Sequence, residues 1–420
     1  MAKSCLYCGL QLPDTADFCP QCGRPIERDF EIRSIQESEP KNPGKELEGK
    51  DALTPQQGFY SDGTRTGRPE NKKFPGREAN MPQLIANPLD VVEADFPGTG
   101  TLVEQIHFML NYAVLAPSRH NVQPWLFKVE GNTVELYADQ SRALPVADAD
   151  NREMIISCGA ALANFLIASR HFGYAPVVEL APALDSRYML ARISLEKGVV
   201  ATEEEQKLFR AIMQRRTNRQ LFKDRAVPLS LLAALEAIAG RQGTIFQVIY
   251  QEEVRYAVAS LIATGDRLLW ADERFRQEIA EWTRPADSQS RDGVPAYALG
   301  KGDMAAYLGP LKIRTFMDSE EADAGHRMAV GSPVLAVLGT FTDTWFDWLA
   351  TGQALERILL YARSAGVWAS FFSQPVEVAT LRMDLRDILE QTGFPQLVLR
   401  MGYGSDVPPT PRRGVRDVLL

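Results

Sequence analysis

What this 420-residue chain lacks narrows its identity quickly. Beyond residue 22 it has a single cysteine, Cys158, which argues against a secreted fold stapled by disulfides. No apolar run approaches the roughly 20 residues that cross a bilayer. The opening "MAKSCLYCGL" has no apolar segment of the secretory kind. The expectation is a cytoplasmic protein with no membrane partner. Positive charge is also in deficit, with 46 Lys and Arg against 54 Asp and Glu and a net charge of -8, so a broad nucleic-acid-binding surface is excluded. The four histidines (His107, His120, His171, His326) are scattered. The patterns GxxxxGK[ST], HExxH and GxSxG are missing, as is GxGxxG after a strand. Phosphate-loop, dinucleotide-fingerprint, zinc-protease and serine-hydrolase chemistries have nothing to stand on.

The cysteines that are present lie together. "CLYCG" and "FCPQCG" place Cys5, Cys8, Cys19 and Cys22 in two Cys-x-x-Cys-Gly knuckles. Such a pair of knuckles offers four thiolates to one tetrahedral ion, and the glycines let backbone turn toward the sulfurs. We assign residues 1–28 to a zinc ribbon whose metal supplies the folding energy that so small a core cannot. A redox dithiol is the alternative, but it needs a strand–helix context that this stretch does not offer. Residues 29–95 are rich in Lys, Glu, Pro, Gly, Asn and Gln, a composition that predicts a flexible tether. Within it "MPQLIANPLDVV" is apolar enough to dock on a neighbouring body.

From residue 96 onward the pattern is that of an α+β body. "TLVEQIHFMLNYAVLA" sets Leu102, Ile106, Met109, Leu110 and Ala113 on one helical face. "PWLFKVEGNTVELYAD" reads as a hairpin turning at Gly131–Asn132. The segment "NREMIISCGAALANFLIASRHFGY" is apolar on every side, which predicts a central buried helix stopped at Gly173. Its thiol, Cys158, reads as an inert core group. Strands follow at "PVVELAP" and "YMLARISL". A second round then runs from a Thr-capped helix, "TEEEQKLFRAIMQRRTNRQLF", through a strand at "TIFQVIYQ" and a helix near 252–269. It continues through a buried strand "SPVLAVLGTF" and a buried helix "GQALERILLYARSAG" to a closing strand "PQLVLRMGYG". "GAALANFLIASRHFGY" and "GQALERILLYARSAGV" align with Gly159 against Gly352 and Gly173 against Gly366. We read two fused halves, 96–200 and 201–420, a duplication of the kind that mimics a symmetric dimer.

Two stretches carry more polar groups than a turn requires. "LAPSRHNVQPW" (115–125) joins a buried helix to a buried strand, yet holds Ser118, Arg119, His120, Asn121 and Gln123. Gln123 and Trp125 are expected to anchor the strand, and His120 fits either role. Arg215, Arg216 and Arg219 are expected to close a helix, where cations are favoured, and their forks suit a phosphate. Arg412 and Arg413 follow a strand and could converge on the same group. The plain alternative is that these arginines cap a helix and solvate a tail. Residues 281–316 form a Gly- and Pro-rich insertion with apolar anchors at Trp282, Tyr297 and Phe316, which we read as a lid.

"APSRHNVQPW" resembles the A-P-S-x-x-N-x-Q-P-W signature of the nitroreductase family. "RRTNRQLF" (215–222) is similar to that family's R-R-S/T-x-R opening, and the central helix and basic tail are similar as well. In ordinary family members the arginine opening precedes the Ala-Pro-Ser loop in each subunit. Here each half keeps only one of the two, an arrangement that resembles the Acg-type branch of single-chain pseudo-dimers. The resemblance implies FMN as cofactor alongside zinc. Pro117, Ser118, Arg119 and Asn121 would face the ring edge, and Arg215, Arg216, Asn218, Arg219, Arg412 and Arg413 would hold the cofactor and its phosphate. It implies hydride transfer from NAD(P)H through flavin N5 to a small electron-poor acceptor, with no dedicated catalytic residue. Two other readings stay open. One is an FMN-sequestering store under the lid, and the other a sensor whose ribbon contacts a protein partner.

Overall fold

The structure is a computed structural model that describes residues 85–180, 188–198, 200–285, 287–299, 319–390 and 393–420. It also describes two short antiparallel strands, β1 (Lys3–Ser4) and β2 (Gln11–Leu12). The knuckle cysteines lie outside the described residues, as do residues 300–318 of the insertion and hence Phe316.

The first half opens on α1 (Leu102–Ala113), which starts where Thr101 and Glu104 cap each other's backbone amides. A hairpin follows, β3 (Trp125–Glu130) and β4 (Thr133–Ala138), its turn made by Gly131 at φ +61°. Then come the long helix α2 (Arg152–His171) and strands β5 (Tyr174–Leu180) and β6 (Met189–Lys197). The sheet order is β3-β4-β6-β5, antiparallel throughout.

The second half contains α3 (Glu203–Ile212), α4 (Leu229–Arg241), β7 (Ile245–Val248), α5 (Glu252–Ala271) and α6 (Glu273–Trp282). After a short parallel pair, β8 (Thr283–Arg284) and β9 (Val294–Pro295), it continues with α7 (Ser319–Val330) and β10 (Val334–Thr340). The central helix α8 (Trp345–Ser364) leads to β11 (Trp368–Phe371), α9 (Gln374–Glu377), α10 (Ala379–Ile388) and β12 (Phe394–Gly402). This sheet runs β11-β12-β10-β7, again antiparallel.

The halves meet along their central helices. A Cβ on Gly159 would lie 2.2 Å from the Leu349 carbonyl oxygen, and one on Gly352 would lie 2.0 Å from that of Ile156. The two helices therefore touch backbone to backbone at the paired glycines, a distance that no side chain permits. Leu349 and Leu360 of α8 join the core around the first sheet, while Ile156 of α2 joins the core of the second. The C-terminal tail returns to the first half: Phe127 N–H donates to the Val418 carbonyl at 2.7 Å, and Leu420 N–H to the Phe127 carbonyl at 2.9 Å. Among the described residues only α2 is long and apolar enough to span a bilayer, and it is buried in this body.

One expectation changes, and two segments come into view. Helix α3 ends at Ile212, and the arginines follow it: the Arg215 amide still donates to the Ala211 carbonyl at 2.9 Å, while Arg216 and Arg219 lie beyond, flanking the point where Thr217 bridges to Ala369 and Asn218 N–H donates to the Ala369 carbonyl at 3.0 Å. Helix α4 was not singled out by its pattern, because Ala-rich turns blur its apolar face. Residues 85–95, assigned by composition to the tether, lie on the body. There Val91 is buried, and Glu93 meets His171 at 2.7 Å.

Candidate functional site

The loop after α1 is strained. His120, Asn121 and Gln123 all sit at positive φ (45°, 55° and 52°), a region that non-glycine residues occupy only when their surroundings insist. The surroundings are visible. Ser118 Oγ accepts from the Gln123 amide at 2.9 Å, and Asn121 Nδ2 donates to the carbonyls of Gly293 (2.9 Å) and Pro411 (3.0 Å). Gln123 Nε2 donates to the Arg291 carbonyl at 2.9 Å and its Oε1 accepts from Arg413 N–H at 2.8 Å. The insertion and the tail thus clamp the loop from two sides.

One cavity lies against this loop. Its walls come from both halves: Pro117, Ser118, Arg119, His120 and Asn121 from the loop, Glu153, Ile156 and Ser157 from α2, and Arg216, Thr217, Arg219 and Gln220 from the arginine segment. The insertion adds Val294, Tyr297 and Ala298, α8 adds Leu355, the stretch after it adds Ser370, Phe371 and Ser373, and the tail adds Thr410 and Arg412. Tyr297 donates its hydroxyl to the Pro409 carbonyl at 2.8 Å, which joins insertion and tail at the rim.

The arginines divide by their partners. Arg216 gives one contact to the Gln214 carbonyl at 3.3 Å and Arg219 one to the Ala298 carbonyl at 3.1 Å, while Arg412 donates to Asn121 Oδ1 at 3.0 Å, Thr410 Oγ1 at 2.5 Å and the carbonyls of Thr410, Pro411 and Leu115 at 3.2, 3.0 and 3.3 Å. Among the described residues none of these three has a carboxylate within ion-pair distance. Burial lowers Arg219 to about 10, and burial with the neighbouring Arg215 lowers Arg412 to about 9. Both stay charged at neutral pH, so the cavity wall holds cations that lack counter-charge, which is an anion site in electrostatic terms.

The remaining arginines are occupied. Arg119 lines the cavity, but its guanidinium pairs with Glu377 at 2.5 Å and Glu153 at 3.5 Å, so it does not offer its fork to a ligand. Arg215 does not line the cavity. It is buried against Glu356 of α8 at 3.4 Å and donates to the Leu115 carbonyl at 2.9 Å. Asn218, fully buried, bonds the Ser405 carbonyl at 2.9 Å and the Gln220 amide at 3.0 Å. Arg413 bonds the Gln123 carbonyl at 3.0 Å behind the loop. Asn121 lines the cavity with its amide used in the clamp. Arg215, Asn218 and Arg413 therefore hold the site from behind.

Sequence reasoning missed Glu153, Ser157, Phe371, Ser373 and Glu377. The available signal was Glu153 and Ser157 one turn apart in an otherwise apolar helix. His120 is buried between Arg119 and Arg219, which with desolvation depress its pKa well below the usual value and leave the imidazole neutral. Of the insertion's named anchors, Tyr297 reaches the cavity. Trp282 does not; it packs with Phe275, Leu144 and Val122 below the loop.

A nitroreductase family model matches residues 212–403 and a zinc-ribbon domain model residues 4–26. "Putative NAD(P)H nitroreductase Rv3131" of Mycobacterium tuberculosis is 31% identical over 324 residues, which cover 75% of this chain and 91% of that protein. The same organism's acg, under the same descriptive name, is 26% identical over 329 residues, covering 77% and 97%. Among solved structures, iodotyrosine deiodinase bound to FMN and 3-iodo-L-tyrosine is 13% identical with a TM-score of 0.33, covering 49% of this chain and 95% of that one. The FMN-dependent nitroreductase NfnB of Mycobacterium smegmatis in complex with NADPH is 16% identical with a TM-score of 0.31, covering 48% and 88%.

Proposed function

The chain belongs to the nitroreductase family, and on that premise we propose that it is an FMN-dependent oxidoreductase passing hydride from NAD(P)H to a small electron-poor acceptor. The observation that carries this reading is the cavity itself. The Ala-Pro-Ser loop of one half and the arginine segment of the other face the same space, as the two subunits of a dimer would, and the body reads as a fused pseudo-dimer with one complete site. The residues present fit a flavin mononucleotide. The Nε atoms of Arg216 and Arg412 are unpartnered among the described residues, and with no carboxylate paired to either guanidinium they would meet a phosphate. Arg219 offers a cation to the polar edge of a ring, and Ile156, Leu355 and Phe371 offer apolar surface. The cofactor would supply the hydride-accepting atom. The chain's own share is to bind, orient and exclude water. Cys5, Cys8, Cys19 and Cys22 would hold zinc apart from this chemistry.

Storage of FMN is the second reading, and one observation favours it: Val294, Tyr297 and Ala298 of the insertion already wall the cavity on one side. Hydride transfer needs reacting atoms about 3–3.5 Å apart, so a covered ring cannot turn over. Anaerobic stopped-flow mixing of the FMN-loaded protein with NADPH separates the two. Bleaching of the flavin band within seconds is the expected result for the reductase. Bleaching that appears only after Tyr297→Ala, together with faster FMN release, would establish a store.

A further inference from the structure

The cavity wall contains a charge cluster that cofactor binding does not use. Arg119 Nη2 meets Glu377 Oε1 at 2.5 Å and Arg119 Nε meets Glu153 Oε2 at 3.5 Å, while Arg152 Nη2 meets Glu153 Oε1 at 3.5 Å. Asp148 closes the group, accepting the Glu153 and Met154 amides at 2.9 and 2.8 Å. The side chains of Glu153 and Glu377 are 5% and 1% exposed, so water does not screen them. Three carboxylates therefore face two guanidiniums away from water. An uncompensated buried charge is costly, and the least expensive remedy is to keep one carboxyl protonated. Asp148 is the worst candidate for that proton, because two amides stabilise its ionised form. Glu153 has the Arg119 and Arg152 guanidiniums at 3.5 Å, and Glu377 has that of Arg119 alone among the described ion pairs.

Of the two, only Glu153 reaches the cavity, where Ser157, Arg119 and Ser373 border it. We propose that Glu153, sharing one proton with Glu377 across Arg119, is the acid that protonates the acceptor during its reduction. This rests on the flavin reading above. Hydride, two electrons and a proton originating in NAD(P)H, adds to the electron-poor centre of the acceptor and leaves an electron pair on a neighbouring atom. The Glu153 O–H bond breaks, its proton bonds to that atom, and the carboxylate regains a proton from water. Glu377 is a positioning residue: as the second carboxyl on Arg119 it shares the proton, and burial raises it as it raises Glu153.

The other charged groups around the cluster are accounted for. Glu278 of α6 accepts the Val146 and Ala147 amides, each at 2.9 Å. Asp266 of α5 accepts from Gln374 at 2.8 Å, Arg382 of α10 pairs with Asp343 at 2.8 Å, and Arg400 of β12 donates to the Asn218 and Gln220 carbonyls. None of them supplies the missing positive charge. Desolvation raises both Glu153 and Glu377, Glu377 to about 8, in agreement with the charge count.

The test uses the full FMN-loaded chain, reduced anaerobically and mixed with nitrofurazone. Reoxidation should slow by roughly 10²-fold in Glu153→Gln, the lower end for a lost general acid, and recover in part in Glu153→Asp. In the wild type the rate should fall as pH rises far enough to strip the pair of its shared proton. In Glu377→Gln that fall should move to lower pH, because removing a negative neighbour lowers the pKa of Glu153. A merely structural glutamate would not shift the profile. Infrared spectroscopy of the chain at neutral pH, with or without FMN, should show a protonated carboxyl band that either Gln substitution removes. Reoxidation rates that are equal in wild type and Glu153→Gln overturn the acid role, and absence of the band overturns the held proton. Failure to bind FMN at all is seen before any mixing and overturns the flavin reading instead.

Discussion

At the scale of single residues, the site separates arginines that face a ligand from arginines that hold the fold. Arg216→Ala and Arg412→Ala should each weaken FMN binding by about 1.5–3 kcal/mol, the range for hydrogen bonds to charged groups, and leave riboflavin binding nearly unchanged. Isothermal titration with both ligands checks this; equal losses would point to a collapsed loop. Arg215→Ala should behave differently, because it strands Glu356, which is fully buried on α8. Removing one partner of a buried pair costs about 3–5 kcal/mol, so the loss should appear in denaturant melting of the ligand-free chain. Glu356 itself is pushed up to about 7 by desolvation, above its value in the unfolded chain. A raised folded pKa contributes stability that is complete below about pH 4.5 and is lost as pH rises through about 7. Comparing melting between about pH 5 and pH 8, Glu356→Gln should flatten that decline; an unchanged slope would remove Glu356 from the account.

At the scale of elements, the crossing of α2 and α8 sets the distance between the two halves and so the width of the cavity. Gly159→Ala or Gly352→Ala must push the helices apart, since each new methyl would meet backbone rather than a side chain that can turn away. Overpacking of this kind costs about 1–3 kcal/mol or more, and here it should also weaken FMN, because the loop and the arginine segment ride on opposite halves. Gly240 of α4 is the control. A methyl there meets nothing within 4 Å, so Gly240→Ala should stabilise the chain by about 0.4–1 kcal/mol. Thermal melting of the three variants distinguishes a helix-packing glycine from a merely helical one.

At the scale of the whole molecule, the described body is built from residue 85 onward. Cutting the chain before residue 85 should leave the body's melting temperature essentially unmoved. A large drop would reveal an interface between the ribbon and the body. Cys19→Ser with Cys22→Ser should abolish the bound zinc found by elemental analysis and leave FMN stoichiometry at one per chain. Two FMN per chain would mean that both pseudo-sites survive.

The sequence by itself determined the zinc-ribbon match, the α+β alternation, the two central helices with their aligned glycines, and the family. These follow from local periodicity and from motifs contiguous in the chain. It also pointed to the loop and arginine segment that line the cavity, because surplus polar groups between buried elements are visible without coordinates. Tertiary structure alone decided which arginines are ion-paired and which line the cavity without a carboxylate partner. Arg215 and Arg216 are adjacent and chemically identical, yet one is buried against Glu356 and the other lines the cavity. It also decided that Arg119 is neutralised by Glu377, 258 positions later, and that Glu153 belongs to the site. Charge balance in a buried cluster depends on groups brought together from distant parts of the chain, and no short stretch of sequence contains that sum.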